Sequence, residues 1–79
     1  MNTSNSGVEY ANILADITNG KNFEAHYKTV TERINGLNRS IDSKRSRQED
    51  CCWIVTVCYN YYRLQQLIKR EILKLKSPF

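Results

Sequence analysis

The chain is poor in the residues that break helices and in the residues that build active sites. Among its 79 residues there is a single proline, Pro78, and only three glycines. Turns are therefore few, and a fold made of many short strands joined by tight Gly/Pro turns is disfavoured. There is one histidine, His26, and no Cys-x-x-Cys pair, so Cys51, Cys52 and Cys58 do not form a zinc-ligand pattern. No glycine-rich phosphate loop is present. The carboxylates Glu9, Asp16, Glu24, Glu32, Asp42, Glu49, Asp50 and Glu71 are scattered over polar positions. No nucleophile, base and orienting group can be assembled from these residues at a recognisable spacing, so the expectation is a protein that is not an enzyme and needs no cofactor or metal.

Long hydrophobic runs are missing as well. The longest apolar stretch lies around Cys51–Cys58 and ends at Asn60 and Arg63, far short of the roughly 20 residues a membrane-crossing helix needs. Residues 1–7, Met-Asn-Thr-Ser-Asn-Ser-Gly, have neither a basic start nor an apolar centre, so they do not read as a secretory signal. The expected setting is intracellular, cytoplasm or nucleus, with the three thiols reduced. In that setting the triplets at Asn2 and Asn38 are chance matches to a glycosylation site.

What the chain does contain is helical periodicity. Tyr10, Ile13, Leu14 and Ile17 share one helical face, and Asn19-Gly20 supplies a left-handed stop, so the first helix is predicted over about 7–18. Residues 1–6 form a flexible lead in this reading, with Ser6 as N-cap and Glu9 completing a capping box. The second helix is predicted over about 22–42, with Asn22 at its cap. Its apolar residues Phe23, Tyr27, Val30, Ile34, Leu37 and Ile41 alternate at spacings of four and three, the signature of a narrow packing seam. Gly36 interrupts this helix, either to admit a close neighbour or as a plain weakness. A polar turn is placed near Ser43–Arg47. His26 falls among polar positions and is expected to be solvated.

The third helix, about 49–76, is the most apolar segment, and Ser77-Pro78 ends it. Trp53–Tyr62 is also rich in β-branched and aromatic residues, as strands are. Since no other segment offers a strand to pair with, helix is the expectation. Cys51, Ile54, Cys58, Tyr61, Gln65, Ile68, Ile72 and Leu75 form one stripe, and Trp53, Val57, Leu64, Leu67 and Leu75 an adjacent one.

These elements predict an all-α single domain over 7–79: a short N-terminal helix and a long antiparallel helical hairpin in a coiled-coil-like bundle. A chain of this size buries only about 60% of its unfolded surface, and helix 1 looks too short to cover both stripes of helix 3. Completion by oligomerisation follows, through Trp53, Ile54, Val57, Tyr61, Leu64 and Ile68, with a compact three-helix core as the competing use of the same residues. The partner is a protein, either a second copy or a helical subunit. The expected function is that of a structural or adaptor subunit of an intracellular assembly.

Charge offers an alternative. Up to Glu32 there are two basic and four acidic residues; from Arg33 onward there are ten basic and four acidic. Arg39, Lys44, Arg45 and Arg47 cluster near the second turn, and Lys69, Arg70, Lys74 and Lys76 near the C-terminus. These clusters suit a phosphate backbone, with Tyr59, Tyr61 and Tyr62 available for stacking. The amphipathic, basic stretch Arg63–Lys76 would also suit a membrane surface. The same charges serve equally as solvated faces.

Overall fold

The computed structural model describes the backbone of residues 3–76 and the side chains of residues 7–76. It consists of three helices, α1 (Thr3–Thr18), α2 (Phe23–Ser46) and α3 (Cys52–Lys76). No strand occurs among the described residues, and Trp53–Tyr62 is helical throughout.

The turn after α1 follows from local chemistry. Gly20 adopts φ 73°. The Lys21 amide donates to the Asp16 carbonyl at 2.8 Å and the Gly20 amide to the Ile17 carbonyl at 3.0 Å. These two bonds satisfy carbonyls that the end of the helix would otherwise leave without donors. Asn22 follows at the N-cap position of α2, but in the left-handed region (φ 58°), and its side chain makes no capping bond. Its carbonyl instead accepts from the His26 amide at 3.0 Å.

Both outer boundaries of the first two helices differ from the sequence expectation. α1 begins at Thr3, so residues 3–6 are helical and Ser6 lies inside the helix, unable to act as N-cap. Glu9, the other half of the expected capping box, does not fold back on its own helix but reaches across to α2 and α3. At the other end, α2 continues through Ser46, past the predicted stop at 42. Burial of Ile41, 6% exposed, holds the seam together to that point, and Lys44 and Arg45 in the last turn suit the negative end of the helix dipole. The turn therefore lies at 47–51, with Gln48 in the left-handed position (φ 58°) where glycine is usual. The Glu49 amide donates to the Lys44 carbonyl at 2.8 Å and the Gln48 amide to Arg45 at 3.0 Å. Asp50 Oδ1 then accepts from the Cys52 amide at 3.0 Å and starts α3. Ser77 and Pro78 lie outside the described residues.

α2 and α3 run in opposite directions. Cys58 Sγ donates to Asn38 Oδ1 at 3.5 Å, Gln65 Nε2 to Thr31 Oγ1 at 3.0 Å, and Lys76 Nζ lies 3.8 Å from Glu24. As the α3 number rises, the α2 number falls. Val30, Ile34, Tyr61, Leu64 and Ile68 are buried between them, and Phe23, Tyr27, Leu37 and Ile72 pack against this core. Ile41 and Ile54 are buried closer to the turn.

α1 supplies Ile13 (2% exposed) and Ile17 (6%) to the same core. Its contacts reach both long helices, while Trp53 of the second stripe of α3 remains 48% exposed. The radius of gyration is 14.2 Å, against about 12 Å for a compact chain of this length. The extents are 49 × 23 × 15 Å, so the molecule is a slab with a large surface for its volume.

Gly36 has no structural duty. A Cβ built there would meet only the end of the Arg39 side chain, at 3.8 Å. Gly36→Ala is therefore expected to raise stability by about 1 kcal/mol by removing backbone entropy from the unfolded chain. A urea titration checks this; destabilisation would show that a neighbour does approach closely.

Candidate interaction surface

The polar centre of the fold is Glu9. Arg33 Nε donates to Glu9 Oε1 at 2.9 Å and Arg33 Nη2 to Oε2 at 2.9 Å, a two-pronged pair. The Tyr61 hydroxyl donates to Glu9 Oε1 at 2.8 Å. Tyr61 is 2% exposed, and its ring meets Tyr10 edge-on, centroids 5.9 Å apart. One carboxylate thus ties α1 to α2 and α3. The hydrogen bond from Arg33 holds the Glu9 carboxyl below its ordinary value of 4.5, with the Tyr61 hydroxyl acting in the same sense and partial burial opposing both. The Tyr61 hydroxyl is pushed well above the tyrosine range, by burial first and by Glu9 second.

A second tie joins α1 to α2. His26 Nε2–H donates to Asp16 Oδ2 at 2.8 Å, and the His26 side chain is 20% exposed. His26 is therefore not the solvated residue that its polar neighbours suggest. The hydrogen bond from His26 also lowers the Asp16 carboxyl below its ordinary value of 3.8.

Both carboxylates are held below their unfolded values, so their contribution is complete above those values and fades as pH falls through the folded ones. Acidification below about 4.5 is expected to loosen α1. Glu9→Gln should flatten the fall in thermal midpoint between neutral pH and pH about 3. A variant with the same acid slope as the parent would place the sensitivity elsewhere.

The interface residues expected from sequence divide sharply. Ile54 (4% exposed), Tyr61 (2%), Leu64 (2%) and Ile68 (0%) are core residues of the chain itself and offer no surface in this fold. The physical reason is the packing of α2 along α3, which includes Val30 and Ile34, together with α1, whose Ile13 and Ile17 join the core that Tyr61, Leu64 and Ile68 build. Val57 is half-buried against that core. Trp53 remains 48% exposed.

What α3 turns outward instead is a stripe one residue out of phase with its buried one. Val55 (38% exposed), Tyr59 (57%), Tyr62 (54%) and Leu73 (57%) follow Ile54, Cys58, Tyr61 and Ile72. Residues 55, 59, 62, 66, 69 and 73 share one face at helical spacing, with Gln66 and Lys69 as polar members between Tyr62 and Leu73. Trp53 lies about 200° around the helix from Val55 and is not part of this face. The stripe was open to detection from its four-and-three spacing. Choosing between it and the adjacent stripe required knowing how α2 and α1 pack on α3.

Shallow grooves flank this ridge. One, of about 510 Å³, is lined by Tyr10, Tyr59, Tyr62, Arg63, Leu67 and Arg70, among others. The other, of about 330 Å³, lies between the start of α2 and the end of α3, over Tyr27, Ile72 and Leu73. Arg63 also stacks over the Tyr59 ring, its guanidinium carbon 5.9 Å from the centroid.

The basic cluster near the second turn is partly committed. Lys44 lies 3.7 Å and Arg47 3.0 Å from the same Glu49 carboxylate oxygen, and Arg47 Nη1 donates to Ser43 Oγ at 2.6 Å. Arg39 and Arg45 are exposed. Cys51, Cys52 and Cys58 are free thiols, and burial raises the Cys58 thiol above its ordinary value. Among the described residues, no group of side chains is arranged to hold a metal ion, and no helix is long and apolar enough to cross a membrane. No protein-family model, curated protein or solved structure matches this chain.

Proposed function

We propose that this chain is a non-enzymatic structural or adaptor subunit that binds another helix along the outer face of α3. In this reading α2 and α3 form a hairpin with a coiled-coil-like seam. α1 completes the core on one side, and a partner helix completes the bundle over Val55, Tyr59, Tyr62 and Leu73. The observation that carries the reading is the second apolar stripe. A small chain that has already buried one stripe of α3 keeps four large apolar residues of the next stripe in water. Exposed large apolar side chains gathered on one helix face mark interaction sites, and tyrosines are frequent anchors in them. Three free thiols suit a reducing compartment, in keeping with an intracellular assembly.

Affinity purification from the native source, with the parent chain and a Tyr59→Ser/Tyr62→Ser variant in parallel, tests the reading. Both substitutions are at exposed positions, so helicity should be unchanged. A polypeptide retained by the parent and lost from the variant is the expected result. Identical retention by both would exclude this face.

A further inference from the structure

We infer that the helix received by the outer face of α3 is an amphipathic helix with acidic flanks, and not a second copy of this chain. The inference rests on the helix-binding reading above and adds the chemistry of the partner. Packing between helices sets the side-chain ridges of one into the grooves of the other. Here one groove borders the ridge of α3 from Tyr59 to Arg70 and the other borders it from Lys69 to Lys76, so a partner's flanking rows fall into defined surroundings at successive levels. At the first level they meet Arg63 and Arg70. At the second they meet Lys28, Lys69 and Lys76. The only carboxylate in either lining is Glu24, and it already lies 3.8 Å from Lys76.

The apolar floor and the cations select together. Tyr59, Tyr62 and Leu73 take an apolar stripe, and the flanking ammonium and guanidinium groups take carboxylates beside it. A second copy docking by the same face would bring Arg63, Lys69 and Arg70 against their own kind, which opposes association. Opposite charge on a helix partner speeds encounter and excludes wrong partners.

Calorimetric titration of the full chain with two synthetic three-heptad peptides decides the matter. Both carry leucine along one stripe; one has glutamate at the flanking positions and the other lysine. The glutamate peptide is expected to bind about tenfold or more tightly than the lysine peptide at low salt. The difference should shrink at about 1 M salt, where the screening length falls to about 3 Å. An Arg63→Glu/Lys69→Glu/Arg70→Glu variant, altered only at exposed positions, should reverse the order while its circular dichroism stays unchanged.

Equal affinity for the two peptides would overturn the acidic-partner inference and leave helix docking standing. Binding of neither would overturn both. Self-association in sedimentation that Tyr62→Ser abolishes would assign the face to a second copy. Binding to phosphatidylserine vesicles, with neither peptide bound, would assign it to lipid. Either result overturns the inference.

Discussion

Ile68→Ala is expected to lower the free energy of unfolding by about 3 kcal/mol, within the range of 2–5 for such truncations in well-packed cores. Ile68 is fully buried, in a core to which all three helices contribute. The truncation removes apolar contact and leaves a cavity that three helices would have to close together. Small domains have only about 5–15 kcal/mol of stability in total, so the variant should unfold at a much lower denaturant concentration. Chemical denaturation followed by circular dichroism measures this, with an unchanged slope showing that the folded state is the same. A loss below about 1 kcal/mol would mean that Ile68 is a surface residue in solution and that the arrangement of α1 is different.

Tyr61 carries the second large effect, and two substitutions separate its parts. Tyr61→Ala should cost about 3–5 kcal/mol, as truncation of a buried aromatic ring does. The ring is lost from beneath α1 together with its edge-on contact with Tyr10. Tyr61→Phe keeps the ring and removes only the hydroxyl that donates to Glu9, at a cost of about 1.5–3 kcal/mol for a bond to a charged acceptor. Combining Tyr61→Phe with Glu9→Ala should give less than the sum of the two single effects, because both remove the same bond. Additive losses would show that the hydroxyl and the carboxylate act independently.

Much of the helical framework was legible in the sequence. The four-and-three series from Phe23 to Ile41 marks a seam, and it lies where the periodicity places it. Asn19-Gly20 names its own turn, because glycine takes the left-handed conformation without strain. The second turn carries no such mark. Gln48 occupies the left-handed position there, and nothing in a Gln-Glu-Asp run announces it. The early start of α1 was hidden for a related reason: Glu9 fits a capping box, yet its partners Arg33 and Tyr61 lie far along the chain. The His26 contact is hidden on the same grounds, since Asp16 reaches it only after the chain reverses at Gly20.

The candidate site shows the same limit more sharply. Ile54, Tyr61, Leu64 and Ile68 and the outward set Val55, Tyr59, Tyr62 and Leu73 lie on neighbouring faces of one helix. Periodicity shows that both sets exist, and it cannot say which one its own chain covers. That is decided by how α2 and α1 pack on α3, and the docking of α1 rests on Ile13 and Ile17 and on the polar ties made by Glu9 and Asp16.

The most direct test of the central claim is hydroxyl-radical footprinting of the chain, alone and in the assembly isolated from its native source. Tyr59 and Tyr62, both more than half exposed in the isolated fold, are expected to be oxidised readily alone and protected in the assembly, while Trp53 changes less. Equal oxidation of Tyr59 and Tyr62 in the two preparations would contradict the claim that the outer face of α3 is the surface by which this chain binds.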